Sequence, residues 1–193
     1  MAPAPSQIEN ALVDFAEYQT VCKLKSRYFF YLDAKQWPRL RALFSDAATF
    51  EGFPFATSGP DAFVAGVSEW LSPMRTVHQG FMPDMQKRDD GLIRARWAMY
   101  DYLTWPQDSF VYKGFQIDGM YGIRGYGYYD EEYVRTDSGW RISFMRLTRT
   151  RIDPLAGDHL EPPAYDVPPP DLCWLDGEQI DSTSAKSRSI AES

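Results

Sequence analysis

The chain carries two histidines, His78 and His159, and two cysteines, Cys22 and Cys173. Too few imidazoles are present for a three-histidine metal site, and these four residues match no metal-ligand spacing. The cysteines are expected to be reduced and structural, no metal or cofactor is expected, and the chemistry falls to organic acid-base groups. Four residues stand out: Tyr28, Asp33, His78 and Asp101. Asp101 interrupts the apolar side of an alternating run, in which Ile93, Ala95, Trp97, Met99 and Leu103 oppose Arg94, Arg96, Tyr100 and Tyr102. A carboxylate aimed into a core must be paired, hydrogen-bonded or protonated, because desolvating it alone is costly. Tyr28 belongs to an apolar helical stripe, where its phenol needs a partner. One imidazole and two carboxylates in an apolar cavity suffice for proton transfer near neutral pH.

Each residue also has an ordinary reading. Asp33 suits a turn, His78 a satisfied structural position, Asp101 an arginine pair at a subunit interface, and Tyr28 plain core. Their conjunction favours function.

The elements that must position these residues can be read from periodicity. Val21, Leu24, Tyr28, and Tyr31 or Leu32 recur at helical spacing, predicting a helix over 17–32 with Lys23, Lys25 and Arg27 off its apolar stripe. A short second helix carries Trp37, Leu40 and Phe44 on one face, with Pro38 in its first turn. A strand is predicted over 48–53. Ser58-Gly59-Pro60-Asp61 reads as a helix start with a capping box from Ser58 to Asp61, followed by the stripe Phe63, Val64, Val67, Trp70 and Leu71. Strands are predicted over 75–82, 92–105, about 118–135 and 140–151. Parity leaves the direction of His78 open. Glycines at 114, 119, 122, 125 and 127 fit a bent strand or close backbone approach better than a phosphate cradle.

Helices first and antiparallel strands after them predict an α+β fold. The expected division is a catalytic domain over 1–155 and a proline-rich arm over 156–193 whose last residues, 180–193, are disordered; the arm is placed to cover the cavity mouth. A net charge of −7 is the wrong field for nucleic acid or an anionic membrane. No apolar run approaches the length of a membrane span and the start lacks signal-peptide regions, so the expected location is the cytoplasm. The 16% aromatic content suits either a thick core or a pocket for a ring-bearing ligand; for such a ligand Trp97, Met99, Tyr126 and Tyr128 are the candidate binding residues.

Over residues 8–152 the sequence resembles the SnoaL-like branch of the nuclear transport factor 2-like superfamily, which includes scytalone dehydratase and bile-acid 7α-dehydratase. The resemblance rests on four segments: Arg27-Tyr28-Phe29-Phe30-Tyr31-Leu32-Asp33 with Trp37; Leu43-Phe44 with Asp46 and Phe50; Thr76-Val77-His78; and Gly139-Trp140-Arg141-Ile142. The Tyr28 to Asp33 and His78 to Asp101 separations are similar to those of the bile-acid dehydratase tetrad. The resemblance implies a curved antiparallel sheet wrapped around N-terminal helices into a cone, and a homo-oligomer, with a trimer favoured over a dimer. Where scytalone dehydratase has a second histidine this chain offers Asp101 and Tyr102, so that enzyme's substrate is not carried over.

The expected activity is a cofactor-independent lyase acting on a hydroxylated aromatic or polycyclic molecule, with water or formaldehyde as the fragment lost. His78 is the expected base, Asp33 its orienting partner, Asp101 the acid or second base, and Tyr28 the donor to the oxygen that gains charge, helped by Tyr126 or Tyr128. The rival readings are an isomerase or polyketide cyclase of the same fold, and a non-catalytic β subunit of an aromatic-ring dioxygenase.

Overall fold

The computed structural model of the chain describes residues 12–55, 58–114, 117–158, 170–172 and 174–175. The chain divides into two compact units, Met1–Glu161 and Pro162–Ser193. Every element described below lies in the first. The expectations for the arm and for the tail over 180–193 lie almost wholly outside the described residues.

Helix α1 (Phe15–Asp33) begins at Asp14, whose carboxylate accepts the Glu17 amide at 2.8 Å, satisfying one of the free donors of the first turn. Its buried face is Val21, Leu24, Lys25, Tyr28 and Leu32. Lys25 is thus on the apolar stripe rather than off it, because position 25 lies four residues after Val21 and three before Tyr28. Lys35, at a left-handed φ of 56°, turns the chain away just after Asp33. Helix α2 (Trp37–Arg41) is one turn long with Pro38 at its start. Phe44, expected on that helix, instead opens strand β1 (Phe44–Glu51). Helix α3 (Pro60–Leu71) is capped by Gly59 without a side-chain hydrogen bond. The expected Ser58 to Asp61 capping box is absent, since Asp61 accepts Arg41 Nε at 2.7 Å instead.

Four long strands follow: β2 (Arg75–Lys87), β3 (Ile93–Thr104), β4 (Met120–Thr136) and β5 (Gly139–Ala156). Together with β1 they form one five-stranded sheet in the order β1-β5-β4-β3-β2. All neighbours are antiparallel except β1, which returns to pair parallel with β5. The α+β expectation holds, with a curved, unclosed sheet and the N-terminal helix against it.

Bulges let strands this long curve. The ladder between β4 and β5 shifts register at three places, between Met120 and Gly122, Tyr126 and Gly127, and Glu132 and Tyr133. Gly125 and Gly127 lie on the inner face of β4, where a Cβ would overlap Asp101 Oδ1 and the Thr148 carbonyl oxygen respectively. The glycines therefore mark close approach, as expected from their spread along this strand. The core between helices and sheet is aromatic: Phe50 stacks on Phe63 at 3.9 Å, and Phe44, Tyr28 and Tyr129 meet edge to face.

Candidate functional site

β2 resolves the direction of His78. Thr76 and His78 point inward while Val77 and Gln79 point out, and the parity brings His78 beneath the end of α1. Asp33 Oδ1 meets His78 Nδ1 at 2.7 Å and accepts the Thr76 hydroxyl at 2.8 Å, while Asp33 Oδ2 accepts the His78 amide at 2.9 Å. Lys35 Nζ donates to the Thr76 oxygen at 3.0 Å, and burial, opposed by the Asp33 charge, lowers this lysine to about 8. Asp33 is thus held from several sides. A neutral His78 with its proton on Nδ1 presents the lone pair of Nε2 as the base.

His78 lines a narrow cavity with Tyr28, Trp70, Tyr129 and Arg149, and with Phe53, Pro54 and Phe55 from the segment after β1. The free space is about 20 Å³, room for about one water molecule. As the side chains stand, this space is smaller than an aromatic ring needs.

Tyr28 and Tyr129 are both buried. Burial pushes both phenols well above their ordinary range. Their rings meet edge to face at 5.9 Å between centroids, and both line the cavity beside His78.

Asp101 is the cross-strand neighbour of His78 on β3 and is fully buried. Its Oδ2 accepts Arg149 Nε at 3.2 Å and also Arg149 Nη2. Burial disfavours the Arg149 charge, but Asp101 and the neighbouring phenols outweigh it and raise the guanidinium above its ordinary value. Oδ1 of Asp101 has no hydrogen-bond partner among the described residues. Paired in this way, Asp101 is an acceptor that fixes Arg149 in the cavity wall. Asp101 is not among the residues that line the cavity and reaches it through Arg149.

The four expected binding residues fall elsewhere. Trp97 and Met99 are buried in the core, with Trp97 Nε1 donating to Tyr133 at 3.2 Å. Tyr126 and Tyr128 are on the outer face of β4, where Tyr126 packs on Tyr100 at 5.4 Å between ring centroids and Tyr128 is exposed. The inward positions of this strand are the odd ones, Ile123, Gly125, Gly127, Tyr129, Glu131 and Tyr133. The even positions Arg124, Asp130 and Glu132 carry charge and mark the outer face, a signal readable in the sequence. The same parity on β5 puts Arg149 inside, two residues after the buried Leu147.

Among the described residues no three His, Cys, Asp or Glu side chains gather where a metal ion could sit. No helix there is long and apolar enough to cross a membrane.

Residues 14–146 match the family model of the SnoaL-like domain. A type 2 hexachlorocyclohexane dehydrochlorinase, LinA, superposes with a TM-score of 0.63 at 22% identity, covering 77% of this chain and 95% of that one. A scytalone dehydratase-like protein of Novosphingobium aromaticivorans gives 0.61 at 16% identity, with 77% and 94% covered. ActVI-ORFA of Streptomyces coelicolor gives 0.53 at 14% identity, with 69% and 96% covered. At these identities the likeness is one of fold.

Proposed function

The chain belongs to the SnoaL-like domain family, and on that footing we propose that it is a cofactor-independent lyase that eliminates water or formaldehyde from a hydroxylated aromatic or polycyclic small molecule. The observation that carries this reading is the Asp33–His78 contact at 2.7 Å, set in an aromatic cavity with a phenol pair and a guanidinium on its walls.

In this scheme His78 Nε2 takes the proton and Asp33 holds the ring and balances the imidazolium. Tyr129, backed by Tyr28, and Arg149 stabilise the oxygen that gains charge or leaves. In a dehydration the proton comes from carbon, its electrons form the double bond, and the hydroxyl leaves as water after accepting a proton. In a diaryl propanediol the proton comes instead from the terminal hydroxyl. The carbon-carbon bond then breaks to release formaldehyde, and its electrons form the alkene as the benzylic hydroxyl departs as water. Both routes balance without an added oxidant or reductant. A positioned acid or base contributes roughly 10²–10⁴-fold, which suits activated benzylic or β-hydroxy ketone substrates.

The same groups can also shift a proton without losing a fragment, as an isomerase or cyclase would. The dyad facing a cavity weighs against a purely assembly role of the dioxygenase β-subunit kind. The proposed assembly is a homo-oligomer, a trimer before a dimer, and the exposed Val77, Phe81 and Tyr128 of the outer sheet face supply apolar surface for it to cover. The proposed location is the cytoplasm.

The test is to incubate the pure protein, without cofactor, with hydroxylated aromatics including a diaryl propanediol and a hydroxysteroid. Loss of 18 mass units (H₂O), or formaldehyde beside an alkene, supports the lyase. An unchanged mass with a shifted ketosteroid double bond moves the assignment to isomerase.

A further inference from the structure

Beneath the cavity lies a second charged pair that the mechanism above does not use. Lys25 and Glu131 are buried, and Lys25 Nζ donates to Glu131 Oε1 at 2.5 Å. Glu131 Oε2 accepts the Tyr133 hydroxyl, whose oxygen in turn accepts Trp97 Nε1 at 3.2 Å. The Lys25 ammonium also rests on three aromatic faces, 3.5 Å from the ring centroid of Tyr129 and 4.5 Å from those of Tyr28 and Phe29.

The placement follows from two periodicities. Tyr28 is three residues after Lys25 on α1, so the two share a helix face. Tyr129 is two residues before Glu131 on β4, so these share a sheet face. Closing the Lys25–Glu131 pair therefore sets the helix against the strand in the register that brings Tyr28 and Tyr129 together at the cavity wall. A positive charge on the ring face also favours negative charge on the phenol oxygen, which makes the hydroxyl a stronger donor, against the opposing effect of the Glu131 carboxylate on both phenols. Stability alone gives little account of the pair, because apolar residues of similar volume replace buried ion pairs at no cost or with a gain.

We propose that Lys25 and Glu131 are positioning residues for ligand binding: the pair aligns the Tyr28–Tyr129 hydroxyls, and the ammonium strengthens their hydrogen bond to a ligand oxygen. The inference rests on the reading above that Tyr129 donates to that oxygen. In the folded protein burial lowers Lys25 to about 8 against the pull of Glu131, so the ammonium prevails at pH 7.

The experiment uses the full chain and 4-nitrophenolate as probe at pH 7, followed by its visible absorbance. Tyr129→Phe is expected to weaken binding roughly tenfold, the worth of one hydrogen bond to a charged oxygen. The double replacement Lys25→Met with Glu131→Leu is expected to weaken it by a similar factor, with an unchanged or higher melting temperature. Adding Tyr129→Phe to that double replacement should cost nothing further, because the pair acts through Tyr129. A folded double variant that binds the probe as tightly as wild type, or whose loss multiplies with that of Tyr129→Phe, overturns the proposal and leaves the lyase reading standing. If the apolar pair does not fold, Glu131→Gln takes its place: it keeps the shape and leaves a buried ammonium that sheds its proton at pH 7. The same non-additive loss is then expected, and unchanged binding overturns the proposal. Binding by wild type that Tyr129→Phe does not weaken sinks the donor role and this inference together.

Discussion

Of the side-chain pairs that tie helix α1 to the sheet, Lys25–Glu131 and Asp33–His78 face inward, and they differ in what they leave unsatisfied. The Lys25 pair is sealed on every side by aromatic rings and by the Tyr133 hydroxyl. The Asp33 pair sits at the edge of the core, where the Asp33 side chain is 27% exposed against 1% for that of Lys25. Its imidazole bonds Asp33 through Nδ1 and lines the cavity, which leaves Nε2 for a ligand. One helix therefore carries one pair that fixes its register against the strand behind the cavity and one that is free to move a proton. Burial and the count of satisfied atoms separate them, not residue type.

The comparison can be broken at the sealed pair first. Lys25→Ala leaves Glu131 buried without its cation, and the expected loss is about 3–5 kcal/mol in urea unfolding. A loss close to that of an exposed lysine would mean that the pair is not sealed.

A smaller effect is expected at Gly125, whose added Cβ would overlap Asp101. Gly125→Ala should cost about 1–3 kcal/mol, as overpacking does, and should weaken 4-nitrophenolate binding by displacing Arg149. Wild-type stability and binding would show that the Asp101–Arg149 pair has room to shift.

The lowered Lys25 gives a pH signature whose sign follows from linkage. Between about 8 in the folded protein and the ordinary lysine value of about 10.4 in the unfolded chain, the unfolded state binds more protons, so stability rises with pH. Glu131 opposes the shift, and the buried phenols Tyr28, Tyr129 and Tyr133 reverse the trend once unfolded tyrosines ionise above about 10. Relative to the Lys25→Met, Glu131→Leu protein, wild type should gain stability from pH 8 to 10. A constant difference would contradict the burial cost assigned to Lys25.

The least effect is expected on the outer face. Tyr126→Phe and Tyr128→Phe should leave turnover and probe binding within about twofold, since surface substitutions change little. A tenfold loss at either would return these residues to the site.

Much of this arrangement was legible in the residues. The α1 stripe, the alternation along β3 that turns Asp101 inward and the glycine-rich bend of β4 all follow from local periods. Three features were hidden because they depend on the fold as a whole. The parallel return of β1 to β5 carries Phe44 into a strand although its spacing from Leu40 is helical. Lys25 reads as a solvated charge until Glu131, 106 residues away, arrives to neutralise it. Arg149 needed the parity of β5 to be read from Leu147 onward, and the functional weight given to Tyr126 and Tyr128 came from residue type where the charged even positions of β4 already marked the outer face.

The central claim, that the His78 imidazole is the base, is tested most directly by comparing wild type and His78→Ala on the hydroxylated aromatic that wild type turns over, with melting temperatures measured alongside. The account predicts a rate lower by roughly 10²–10⁴-fold in a protein whose melting temperature is nearly unchanged. A His78→Ala protein that turns the substrate over at the wild-type rate would contradict it.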